Sequence, residues 1–181
     1  MPPASPDLTL LLADEAATGR LAAALAPCVT PGFTIFLSGD LGTGKTAFTR
    51  ALLRALGHTG RVRSPTFTLA EPYNLSSFDL YHFDFYRFSN ENEWRDAGFG
   101  ESIGGDTAAV VEWPELAGPG LPAPDLWLRL RTTDDASSRI VGLQAHTARG
   151  RACLNALSDT LGRAGLAGVG CWAPSAPPSS A

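Results

Sequence analysis

The sequence predicts an α/β chain built on a small mixed, partly antiparallel β-sheet. Three observations carry that prediction. Thr34-Ile35-Phe36-Leu37 is a short β-branched, apolar run, a glycine-rich octet follows it at once, and a helical pattern follows the octet. Short strand-like runs dominate the middle of the chain, with few helices between them. Leu126–Leu130 and Ile140–Ala145 are two further apolar runs on either side of a polar stretch, Thr132–Ser138, which reads as a hairpin.

Taken in order, Leu8–Leu12 reads as a first strand. Asp14 then caps a helix to about Ala26, with Ala17, Leu21, Ala24 and Leu25 inward and Gly19 weakening it slightly. Thr34–Leu37 is the next strand. From Thr46 to Leu56 the spacing of Phe48, Ala51, Leu52, Ala55 and Leu56 gives one apolar helical face, and Gly57 stops the helix. Phe67–Tyr73 reads as a strand interrupted by Pro72. Phe78–Phe88 alternates, with Tyr81, Phe83 and Phe85 on one face and His82, Asp84 and Tyr86 on the other. Asn90 to about Ala97 reads as a short acidic helix. Ala108–Val111 is a fully apolar strand ending at Glu112. After the hairpin, Ala148–Leu161 carries Ala152, Leu154, Leu157 and Leu161 on one side of a last helix. The organisation expected is a flexible N-terminus at 1–7, one domain at 8–163, and a disordered Gly/Ala/Pro/Ser-rich tail at 164–181.

The octet Gly39-Asp40-Leu41-Gly42-Thr43-Gly44-Lys45-Thr46 is the full phosphate-binding loop pattern, G-x-x-x-x-G-K-[ST]. Of the 14 basic residues, Lys45 is the single lysine and the rest are arginine. A compact ammonium on a thin stem fits inside a loop wrapped round phosphates, where a planar guanidinium does not. Strand, glycine loop and helix is the context that confirms the motif, and it specifies a P-loop NTPase-like three-layer fold. Gly39, Gly42 and Gly44 let the backbone approach phosphate closely. The loop amides and the helix N-terminus form an anion nest, with Asp40, Leu41, Thr43 and Ala47 inside or beside it. Lys45 bridges the β- and γ-phosphates in this reading, and the Thr46 hydroxyl binds Mg²⁺.

A phosphate loop needs an acid near its metal. Asp84 shares a strand face with His82, and Glu112 ends a buried strand, so both are candidates. Thr66, in Ser64-Pro65-Thr66-Phe67-Thr68, could sense the γ-phosphate through Mg²⁺ or sit in an ordinary proline turn. Trp113 either covers the nucleotide or packs the core, and His82 fits a structural hydrogen-bonding role better than that of a base.

The bulk numbers exclude several classes. A net charge of -4 and the lack of a basic cluster argue against this chain as the main holder of a polynucleotide, although Arg50, Arg54, Arg61 and Arg63 form a local patch that reads as a solvated face. No apolar run approaches the ~18 residues of a membrane span, and the first residues lack a signal-peptide pattern. Three cysteines without a C-x-x-C pair fit a reducing cytosol. A guanine-reading N-K-x-D motif would need a second lysine, which excludes the usual GTPase switch. A small-molecule kinase shares the loop but needs a lid segment not visible in this sequence. A non-catalytic nucleotide-dependent scaffold is the remaining alternative.

Four motifs in order, the phosphate loop, Ser64-Pro65-Thr66-Phe67-Thr68-Leu69, His82-Phe83-Asp84-Phe85-Tyr86-Arg87 and Val111-Glu112-Trp113-Pro114-Glu115, resemble the TsaE (YjeE) ATPase family over roughly residues 8–155. The resemblance implies a cytoplasmic ATPase with ATP and Mg²⁺ as cofactors. It implies work in making N6-threonylcarbamoyladenosine beside the tRNA anticodon, on a TsaB–TsaD complex in which TsaD transfers the threonylcarbamoyl group. It further implies contact with tRNA through that complex, no membrane association, and a monomer when isolated. By motif, Lys45 and Thr46 take the phosphate and metal, Thr66 the switch position, Asp84 and Glu112 the metal or the attacking water, and Trp113 the nucleotide. The chain departs from the family pattern at Ala47, commonly threonine, at Thr43, usually alanine, and at Pro72.

Overall fold

The computed structural model describes residues 5–88, 93–103, 105–134 and 136–163. The expected tail at 164–181, the first four residues and the start of the acidic helix at Asn90 lie outside them.

Among the described residues seven strands form one sheet: β1 (Leu8–Leu12), β2 (Thr34–Ser38), β3 (Ala70–Asn74), β4 (Asp79–Asp84), β5 (Ala108–Glu112), β6 (Leu126–Thr132) and β7 (Arg139–Ala145). Their order is β1-β7-β6-β2-β5-β4-β3. The central strands β6, β2, β5 and β4 run parallel, and β3, β7 and β1 pair antiparallel outside them. The mixed sheet expected from the sequence is therefore present, with its antiparallel part at both edges.

Alternation along the strands splits the core in two. Ile35, Leu37, Leu80, Val110, Leu128 and Leu143 face a layer of three helices: α1 (Glu15–Leu25), α2 (Lys45–Ala55) and α4 (Ala148–Arg163). Phe36, Phe83, Ala109 and Val111 face the other way. The short helix α3 (Glu93–Asp96) contributes Trp94 to that second core, and the 3₁₀ segment Pro114–Gly120 contributes Ala117. The third layer is thus thin and largely irregular.

Local chemistry sets the element ends. Asp14 accepts from the Ala17 amide at 2.6 Å and starts α1. Gly57, at φ +94, follows the end of α2, and its amide returns to the Arg54 carbonyl. Pro72 lies within β3, an edge strand, where a missing amide hydrogen is tolerated.

Four expectations need correction. Phe67–Leu69 is a turn and not a strand, because Leu69 adopts φ +64 and its amide folds back to the Pro65 carbonyl. Beyond Asp84 the chain leaves β4, with the Phe88 amide turning back to the Phe85 carbonyl. The buried face of α2 is centred on Phe48, Thr49, Leu52 and Leu53, leaving Ala55 exposed. Cys153 takes the inward place in α4 expected for Ala152, which is exposed. In both helices alanine, indifferent to burial, had blurred the apolar stripe.

At the amino end of β2, buried Asp125 accepts from the Thr34 amide at 2.9 Å and from Arg149 at 3.1 Å. This ties β2 to the start of α4, at the end of the sheet away from the glycine loop.

Candidate nucleotide site

Because β2, β5 and β4 are adjacent and parallel, their carboxyl ends open on one cleft. β2 delivers the glycine loop, β5 ends in Glu112, and β4 ends in Asp84, which pairs in register with Glu112. The cleft, of about 270 Å³, is lined by Gly42, Gly44, Lys45, Thr46, Ala47, Ser64, Thr66, Asp84, Glu112 and Trp113, together with Leu41 and Tyr86. Sequence motifs 18 to 66 residues apart thus share one cavity.

The loop is shaped by its backbone. Gly39, Gly42 and Gly44 have φ of +139, +81 and +102. A Cβ on Gly39 would lie 2.1 Å from the Leu130 carbonyl oxygen, so only glycine fits beside β6. Thr43 is buried and its hydroxyl donates to the Asp40 carbonyl at 2.8 Å. Asp40 and Leu41 are exposed on the rim.

Lys45, the first residue of α2, is buried. Its ammonium donates to the carbonyls of Gly39 at 2.5 Å and Asp40 at 2.9 Å, and lies 3.9 Å from the Trp113 ring centre. Burial lowers its pKa, and the negative charges of Glu112, Glu115, Asp84 and Asp40 oppose that shift. A cation collected by a glycine loop is set to meet a polyanion, and the carboxylates beside it suit a cation bound with that polyanion.

The acids have different surroundings. Glu112 Oε2 accepts from the Thr46 hydroxyl at 3.2 Å, and Oε1 lies 2.8 Å from His82 Nε2. Asp84 Oδ2 accepts from Thr66 at 2.9 Å and Ser64 at 3.3 Å, while Oδ1 accepts from the Tyr86 amide at 3.0 Å. The Asp84 amide in turn donates to the Leu69 carbonyl at 3.0 Å. Asp84 therefore anchors the 64–69 turn by side chain and backbone together. Hydroxyls and carboxylates, with the phosphates of a ligand, suit a hard cation such as Mg²⁺. Among the described residues no group of three or more His, Cys, Asp or Glu side chains forms a metal cage of its own.

Trp113 has φ +58, a strained angle that turns the chain sharply after β5 and brings its indole over Lys45. Tyr86, which the sequence reading did not single out for the site, lies 5.1 Å from that indole, ring centre to ring centre. A second hollow flanks the loop on its other side, lined by Leu12, Asp14, Thr18, Gly42, Ala47 and Arg139 among others. The glycine loop forms one of its walls through Gly42, Thr43 and Gly44, and no sequence motif marks the others, which come from the start of α1 and the β6–β7 hairpin.

Three comparisons with known proteins agree. The sequence model described as "Threonylcarbamoyl adenosine biosynthesis protein TsaE" matches residues 12–141. The chain is 38% identical over 125 residues to the tRNA threonylcarbamoyladenosine biosynthesis protein TsaE of Haemophilus influenzae, covering 69% of this chain and 78% of that protein. It is 40% identical over 124 residues to the protein of that name from Bacillus subtilis, covering 68% and 75%. The crystal structure of Bacillus subtilis YdiB superposes with a TM-score of 0.72 at 30% identity, covering 84% of this chain and 95% of that one.

Proposed function

This chain belongs to the TsaE family, and from that premise we propose that it is the Mg²⁺-dependent ATPase subunit of tRNA N6-threonylcarbamoyladenosine synthesis. It acts on a TsaB–TsaD complex and does not itself transfer the threonylcarbamoyl group. The observation that carries the reading is the convergence of loop, Glu112 and Asp84 at the ends of three adjacent parallel strands.

The amides from Gly39 to Thr46 and the start of α2 cradle the phosphates. Lys45 supplies the cation, and the phosphate charge offsets the cost of burying it. Thr46 and Glu112, already in contact, are the residues that would hold the metal. Mg²⁺, when bound, neutralises charge developing on the β- and γ-phosphates. Asp84 accepts from Thr66 and Ser64 of the 64–69 turn, where Glu112 accepts from Thr46, so Asp84 is assigned to holding Thr66 at the γ-phosphate side and, with it, orienting the attacking water. The water oxygen bonds to the γ-phosphorus as the bond to the β–γ bridging oxygen breaks, giving ADP and phosphate. Tyr86 and Trp113 form an aromatic wall that limits solvent access. The hollow beyond Ala47 takes the nucleoside. Loss of the γ-phosphate removes its contacts with the 64–69 turn and resets docking to the partners.

The test is ATP turnover by the purified chain, alone and with TsaB and TsaD from the same source. Turnover should rise with the pair and vanish in Lys45→Ala. Glu112→Gln should lose turnover by about 100-fold or more while still binding ATP. No response to the pair, with nucleotide still bound, would sink the reading. Phosphate transfer to a small acceptor would identify a kinase instead. Equal docking affinity with ATP, with ADP and without nucleotide would remove the switch.

A further inference from the structure

His82 lies in the middle of β4 with its side chain wholly buried. The register pairs His82 with Val110 and Asp84 with Glu112, so His82 and Glu112 project from the same face of the sheet, one step apart along it. His82 Nε2 sits 2.8 Å from Glu112 Oε1. The other carboxylate oxygen of Glu112, Oε2, receives the Thr46 hydroxyl. An ionised carboxylate only accepts, so Nε2 carries the imidazole proton and donates it. Nδ1 has no hydrogen-bond partner.

An imidazole with Nδ1 unpaired is a costly way to fill a buried site, and the one bond it does make is the bond to Glu112. What the imidazole supplies is direction. The terminal torsion of a glutamate is soft. Glu112 is also the carboxylate whose charge acts most strongly on Lys45. Without His82, the 3.2 Å bond from Thr46 alone holds that carboxylate against the pull of the ammonium.

We propose that His82 is a positioning residue for the metal site: its Nε2–H holds Glu112 Oε1 so that Oε2 stays beside the Thr46 hydroxyl. This rests on the Mg²⁺-nucleotide function proposed above. It adds a second-row residue whose contribution is to metal affinity and not to proton transfer.

The test measures ADP affinity of the full chain by calorimetry across a Mg²⁺ titration, with EDTA as the metal-free reference. The wild type should bind ADP more tightly as Mg²⁺ rises. His82→Leu should keep the metal-free affinity and need about tenfold more Mg²⁺ for the same gain. His82→Gln, whose amide nitrogen can take the place of Nε2, should stay within about threefold of wild type. Where the leucine variant fails to fold, His82→Asn, polar but too short to reach Glu112, should show the same tenfold shift. A folded His82→Leu or His82→Asn with the wild-type Mg²⁺ requirement would overturn the positioning role alone. So would His82→Gln as defective as His82→Leu. A wild type whose ADP affinity ignores Mg²⁺ would overturn the function proposed above and the positioning role with it.

Discussion

The two halves of the cleft are built by different means. The loop half is eight consecutive residues shaped by backbone angles and by the close approach of Gly39 to β6. The carboxylate half is assembled from the ends of β4 and β5 and the 64–69 turn by side-chain bonds spanning 18 residues (Thr66 to Asp84) and 30 residues (His82 to Glu112). Thr46 bonds across the divide to Glu112, 66 residues away. A half made by backbone sterics should fail abruptly when a Cβ is added. A half made by single hydrogen bonds should fail by degrees, one contact at a time.

The largest effect expected is at Gly39. An added methyl would meet the Leu130 carbonyl oxygen at 2.1 Å, at a φ of +139 that side chains rarely adopt. Gly39→Ala should cost about 3 kcal/mol or more of folding stability, read from the denaturant midpoint. Gly42→Ala is the control, because its φ is +81 but its Cβ would meet nothing within 4 Å. It should cost only about 1–2 kcal/mol, the strain of the left-handed angle. Equal costs at the two positions would mean that conformation, and not the contact with β6, defines the loop half.

The same division explains what was legible in the sequence. The loop is local, so eight residues specify its site, its strand and its helix. The acids were visible as types at strand ends, but their roles depend on register. The pairing sets Asp84 and Glu112 side by side, and only their side-chain bonds show that Glu112 reaches Thr46 while Asp84 turns to the 64–69 segment. The Phe67–Leu69 run was misread because its apolar residues suggested a strand, whereas Phe67 is 84% exposed and Leu69 closes a turn held by Asp84. His82 reads from sequence as structural, because nothing local reveals a carboxylate two residues beyond its paired neighbour. The hollow beyond Ala47 is marked by motif only on its loop side, since its other walls come from the distant start of α1 and the β6–β7 hairpin.

An intermediate effect is expected in the carboxylate half. Thr66→Val removes the 2.9 Å bond to Asp84 but leaves the Ser64 hydroxyl and the backbone bond from Asp84 to Leu69. It should cost about 1 kcal/mol, with amide exchange accelerated chiefly over the 64–69 turn. A double-mutant cycle with Asp84→Asn should return a coupling of about 0.5–1 kcal/mol. Faster exchange throughout α2 and the loop would show that the halves do not fail separately.

The smallest effect belongs to Lys45, where the halves meet. Its ammonium donates to loop carbonyls and feels the charges of Glu112 and Asp84 across the cleft, yet burial still holds its pKa below the ordinary 10.5. Between that lowered value and 10.5 the unfolded chain binds more protons than the folded one, so the Lys45 contribution to stability rises with pH across the interval and is lost as pH falls through it. At neutral pH the buried charge opposes folding, while the two carbonyl bonds favour it. Lys45→Met should therefore lose nucleotide binding and change stability by no more than about 1 kcal/mol. Denaturant unfolding of both proteins should show the difference moving in favour of the wild type as pH is raised towards 10.5. A difference that stays flat would mean that the carboxylates fully compensate the burial of Lys45. The two halves would then be separate in their construction but a single unit in their electrostatics.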